Sequence, residues 1–122
     1  MSQSKLFDIR HKFESLGYSL AGLAIATKEE VSFQQELLLS ALLIPLALFA
    51  FDITGVEKAL LVGSIFLILI TELLNTAVEA TIDRISDEKH PLSKKAKDTG
   101  SAAVLLALLN ALIIWCLILL AR

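Results

Sequence analysis

Three carboxylates and an amide share one helical face in the stretch Glu72-Leu-Leu-Asn75-Thr-Ala-Val-Glu79-Ala-Thr-Ile-Asp83-Arg84. At about 100° per residue, positions 72, 75, 79 and 83 fall in one narrow stripe. The apolar run 59–70 leads straight into it. Ionisable groups at membrane depth cost about 3 kcal/mol each on insertion scales, so they mark sites that face protein or water. Acids this close repel one another unless a cation sits among them, and a hard divalent cation takes oxygen ligands. Mg²⁺ in particular uses one or two carboxylates and fills its shell with water and substrate phosphate. The plainer role for the stripe is hydrogen bonding between spans, for which one polar residue suffices.

Two further groups could join that chemistry. Glu30 stands before the first apolar segment and could add a carboxylate beside Glu79; its neighbour Glu29 has the same chemistry, and spacing alone does not separate them. The second group is His90-Pro91-Leu-Ser93-Lys94-Lys95-Ala-Lys97-Asp98-Thr99-Gly100-Ser101. Lys94 and Lys95 suit anionic head groups. Lys97 can act as a point charge on a phosphate, with Asp98 holding it or helping to bind metal or ribose. Gly100 and Ser101 are small enough to let helices approach closely. Neither a glycine-rich phosphate loop nor a soluble-kinase signature is present, and His11 and His90 lack metal-ligand spacing.

The elements that must position these residues are membrane helices. The chain has 122 residues, 56% of them hydrophobic, with mean hydropathy +0.72 and formal net charge −2. A span needs about 20 mostly apolar residues, and segments 33–51, 59–82 and 102–120 approach this. Ile9, Phe13, Leu16, Leu20 and Leu23 recur at helical spacing opposite Arg10, Lys12, Glu14, Ser15 and Ser19, which predicts an amphipathic surface helix over about 5–28. Pro45 is expected to kink the first span, and Asp52 to Gly55 to turn the chain into an antiparallel hairpin.

Basic residues crowd the N-terminal segment and the stretch 83–98, which reads as a cytoplasmic loop with Pro91 as breaker and Ser93 as N-cap. The N-terminus is therefore cytoplasmic and the C-terminus on the far side, with Trp115 in the distal interfacial belt. No cleavable secretory signal is visible. Cys116, the single cysteine, reads as buried or lipid-facing. The expected fold class is an all-α integral membrane protein, one domain over 1–122, whose uncovered polar faces call for self-association.

Together, Glu72-x-x-Asn75-Thr-Ala-Val-Glu79-Ala-x-x-Asp83-Arg84 and Glu88-x-His90-x-Leu92-x-x-Lys95-Ala-Lys97-Asp98-x-Gly100-Ser101-Ala-Ala-Val104 resemble the prokaryotic diacylglycerol kinase family. Upstream, Gly17-Tyr18-Ser19, Gly22-Leu23, Glu30, Phe33, Gln35 and Glu36 look like it too, so the resemblance covers nearly the whole chain. It implies a homotrimeric inner-membrane enzyme with active sites shared between subunits, phosphorylating diacylglycerol from ATP to give phosphatidic acid. By the same resemblance Glu72 would be the general base, and Glu30 and Glu79 would hold Mg²⁺. Tyr18, Glu30, Asn75, Glu79, Glu88, Lys89, His90, Lys97 and Asp98 would bind ATP. Phe33, Gln35, Glu72 and Ser101 would face the lipid. Leu20 and Ala24 depart from the family's usual Trp and basic residue, and its N-terminal arginine corresponds to Arg10 or His11.

That kit suffices for phosphoryl transfer, which asks mainly for positioning and charge neutralisation. A related branch phosphorylates undecaprenol; Asp83-Arg84 and Gly100-Ser101-Ala-Ala look more like the diacylglycerol branch. A different class, a small cation-conducting assembly, would also use intramembrane acids, but gains nothing from Lys97. Nucleic acid is not an expected partner.

Overall fold

The computed structural model describes residues 2–121, and the side chains of 8–121. Helix α1 spans Ser2–Glu29, α2 Val31–Pro45, α3 Gly55–Ile85 and α4 Pro91–Leu120. Beyond Pro45 the helix does not end. Proline withdraws one backbone donor from the ladder, yet its φ of −60° and ψ of −37° remain helical, and the chain continues as a π-helical turn over Leu46–Ala50. The last three helices are long and apolar enough to cross a membrane.

The helices run further than the apolar segments alone imply. Thr54 and Glu57 start α3 with a reciprocal capping box: Thr54 Oγ1 accepts from the Glu57 N–H at 3.1 Å, and Glu57 Oε1 accepts from the Thr54 N–H at 3.0 Å. Only 86–90 is non-helical in the stretch expected as a loop over 83–98. Pro91 does not break α4 but begins it, because its fixed φ and missing N–H suit the first helical position. His90, not Ser93, is the N-cap; its Nδ1 accepts from the Leu92 N–H at 3.1 Å.

Helices α2, α3 and α4 enclose two small apolar clusters. Ile65, Ile68, Ala107 and Ala111 form one, and Ala47, Leu61 and Ile118 the other, with Trp115 bordering both. The Trp115 indole N–H donates to Ser64 Oγ at 3.0 Å, so its polar handle is used between α3 and α4, where the sequence suggested only the interfacial belt. Cys116 is exposed on α4. Helix α1 packs against α2, leaving Ile9, Phe13, Leu16, Leu20 and Leu23 exposed along its length.

Candidate active site

Along α3 the polar stripe rises out of the core. Glu72 is 7% exposed, Asn75 half-buried, and Glu79 and Asp83 exposed. Glu72 follows the buried Ile65 and Ile68 along the helix, so the last side chain enclosed before the surface opens is a carboxylate. Its charged neighbours are Glu79 on its own helix, Glu30 from the α1–α2 corner and Glu36 on α2. Asn75 Nδ2 donates to Glu79 Oε1 at 3.3 Å, while Asn75 Oδ1 is buried with no hydrogen-bond donor.

Glu30 reaches this group because the chain turns there. It has extended dihedrals (φ −102°, ψ 108°) between two helices, and its side chain makes no capping bond. Its carboxylate is thus not consumed by its own helix. Gln34 fixes the corner: its Nε2 donates to the Thr27 carbonyl at 2.9 Å and the Lys28 carbonyl at 3.1 Å, satisfying acceptors at the end of α1.

Where α3 and α4 meet at their polar ends lies a cleft of about 810 Å³. Glu88, Lys89, His90, Lys97 and Asp98 line it, together with Asp83, Asp87 and Lys94. Ser86 Oγ accepts from the Glu88 N–H at 3.0 Å and shapes the connection. With His90 Nδ1 acting as acceptor, Nε2 is left as the donor of a neutral ring. Lys97 Nζ donates to Asp83 Oδ1 at 2.9 Å, and Glu79 is a further charged neighbour. Asp98 pairs with Lys94 one turn earlier rather than with Lys97, the partner the sequence suggested for it.

The remaining residues do not all join these two groups. Phe33 is 2% exposed, enclosed among protein side chains. Tyr18 is 75% exposed on α1, and Gln35 and Ser101 lie on exposed faces. Glu36 was visible only as part of a motif, yet Oε2 of its half-buried side chain has no hydrogen-bond partner and Glu72 is its charged neighbour. Its signal was a carboxylate five residues into an apolar helix. Asp83, grouped with the stripe but given no role, turns out to hold Lys97.

Among the described residues, no three His, Cys, Asp or Glu side chains form a closed metal cage. The charged groups around Glu72 are the carboxylates of Glu30, Glu36 and Glu79, all oxygen donors. That set fits a Mg²⁺ ion carried on substrate phosphate, which needs only one or two protein carboxylates.

Residues 17–119 match the family described as prokaryotic diacylglycerol kinase. Similar proteins include a diacylglycerol kinase of Pseudomonas aeruginosa, 48% identical over 92% of this chain and 90% of the relative. One from Haemophilus influenzae is 44% identical over 91% and 93%, and one from Escherichia coli K12 43% identical over 87% and 86%.

Proposed function

The chain belongs to the prokaryotic diacylglycerol kinase family, and we propose that it phosphorylates diacylglycerol from ATP at the cytoplasmic face of the bacterial inner membrane. As a member it is an enzyme, and a kinase family implies ATP as co-substrate. The observation that best supports the reading is the buried Glu72 flanked by Glu30 and Glu79, one helix end from a cleft that mixes cations and acids. That the similar proteins are diacylglycerol kinases favours diacylglycerol over undecaprenol.

In this reading Glu72 accepts the proton of the lipid hydroxyl as its oxygen attacks the γ-phosphorus of ATP. ADP departs, and phosphatidic acid remains. A side chain enclosed at the edge of the hydrocarbon is well placed for a hydroxyl that cannot leave the bilayer. Glu30 and Glu79 are the carboxylates for Mg²⁺, with the Asn75 amide beside them. Bound there, the ion would supply charge neutralisation on the transferring phosphate. Lys97 exchanges its Asp83 partner for phosphate oxygens, and Glu88, Lys89, His90 and Asp98 surround the nucleotide.

Tyr18, Gln35 and Ser101, exposed in the single chain, serve sites shared with a neighbouring subunit of a homotrimer. That assembly also covers the polar faces left open here. Helix α1 lies in the membrane interface with the N-terminus cytoplasmic, in keeping with its exposed apolar residues.

The test is purified protein reconstituted in vesicles with ATP, Mg²⁺ and either short-chain diacylglycerol or undecaprenol. Phosphate transfer to diacylglycerol is expected. Transfer to neither lipid would end the proposal.

A further inference from the structure

We infer that Gly100 is a positioning residue for the phosphoryl-transfer site: its missing side chain seats the Asn75 carboxamide so that its NH₂ faces Glu79. The inference rests on the roles proposed above for Asn75 and Glu79, but its structural half stands without them.

No glycine in the described chain has a positive φ, so backbone conformation does not demand glycine at 100. The residue lies inside α4, where glycine weakens a helix relative to alanine. Space does demand it. A Cβ added at Gly100 would overlap Asn75 Oδ1, and would lie 3.4 Å from Asn75 Cγ and 3.9 Å from Val78 Cγ1. None of the other four glycines, Gly17, Gly22, Gly55 and Gly63, would bring an added Cβ within 4 Å of anything.

The overlapped atom is the amide oxygen that is buried without a hydrogen-bond donor. An orphaned acceptor of this kind is rare and calls for a compensating arrangement. Gly100 provides one, because where another residue has Cβ it has a second Cα–H, and that bond points at Oδ1. Such C–H···O contacts recur where helices approach closely. With the oxygen held on α4, the nitrogen can only turn the other way, and it donates to Glu79 Oε1 at 3.3 Å. The order of residues is therefore Gly100, Asn75, Glu79: a small residue on one helix orients an amide on the next, which orients a metal-binding carboxylate.

The test uses the full chain in detergent micelles, labelled with ¹⁵N only in asparagine side chains. There are two asparagines, Asn75 and Asn110, so two NH₂ proton pairs result, and Asn110→Gln assigns them. Gly100→Ala is expected to shift the Asn75 pair and leave the Asn110 pair in place, while Gly63→Ala shifts neither. In turnover, Gly100→Ala is expected to raise the apparent KM for Mg·ATP about tenfold, the worth of one hydrogen bond to a charged group, with a smaller change in kcat.

Melting temperatures of a double-mutant cycle guard against a variant that simply packs badly. In an Asn75→Ser background, where the overlapping amide is gone, Gly100→Ala is expected to cost nothing further. An unmoved Asn75 resonance, or an equal loss of melting temperature in both backgrounds, overturns the inference. A wild-type protein that phosphorylates neither lipid overturns the proposed function instead, and leaves the resonance and melting results to judge Gly100.

Discussion

The two halves of α3 face the same neighbours in opposite ways. In the first half, Leu61, Ser64, Ile65 and Ile68 are buried against α2 and α4, and the polar contact from Trp115 to Ser64 is satisfied within the chain. In the second half the same face carries Glu72, Asn75, Glu79 and Asp83, becoming more exposed; Lys97 pairs with Asp83, but the charged neighbours of Glu72 are all acids. One half completes its interactions within the chain. The other leaves part of them open, and in the proposed function a phosphate-borne ion, a lipid hydroxyl or another subunit completes them. Unfinished electrostatics at the end of a finished core is what a membrane enzyme needs, since packing holds the helix still while the charges await substrate.

The comparison can be broken most directly at Glu72. Glu72→Gln keeps the shape and removes the proposed base, so turnover in the vesicle assay is expected to fall by about 10³-fold, within the range for a general base, with melting unchanged or raised. A parallel loss of fold and activity would place Glu72 in the packing half. Leu61→Ala, at a fully buried position of the other half, is expected to lower stability by about 2–3 kcal/mol in denaturant titration, while surviving folded enzyme keeps its KM for Mg·ATP. Glu79→Gln should require about tenfold more Mg²⁺ for half-maximal rate, read from a titration at fixed ATP. Smallest is Trp115→Phe, which deletes one interhelical hydrogen bond; a loss of about 1 kcal/mol in stability and no change in rate are expected.

How much of this could be read from residues alone follows the range of each interaction. The stripe at 72, 75, 79 and 83 depends only on helical periodicity, and the three apolar spans only on composition, so both were legible. The boundaries of α4 were not. Lysines and a proline over 91–98 look like loop when polarity is the guide, although a helix that leaves the bilayer must become polar while staying helical. Pro91 itself was the clue, since proline is at home at a first helical position. The partner of Lys97 was misjudged for a similar reason: Asp98 is adjacent in sequence, but a residue one position along a helix faces elsewhere, and Asp83 on α3 is the one across the cleft. The contacts of Gly100 with Asn75 and of Trp115 with Ser64 join residues far apart in the chain, and no local pattern announces them.

Helix α3 is one uninterrupted rod of 31 residues, capped firmly at Thr54. Glu72 lies 17 residues along from Gly55, about 25 Å at 1.5 Å per residue, so its depth in the bilayer is set by where that cap sits. A thicker membrane would draw the carboxylate down among acyl chains, and a thinner one would lift it clear of the glycerol backbone, unless the rod tilts to compensate. With Glu72 as the proposed base, the rate is expected to pass through a maximum as the acyl chains of the host vesicle are lengthened.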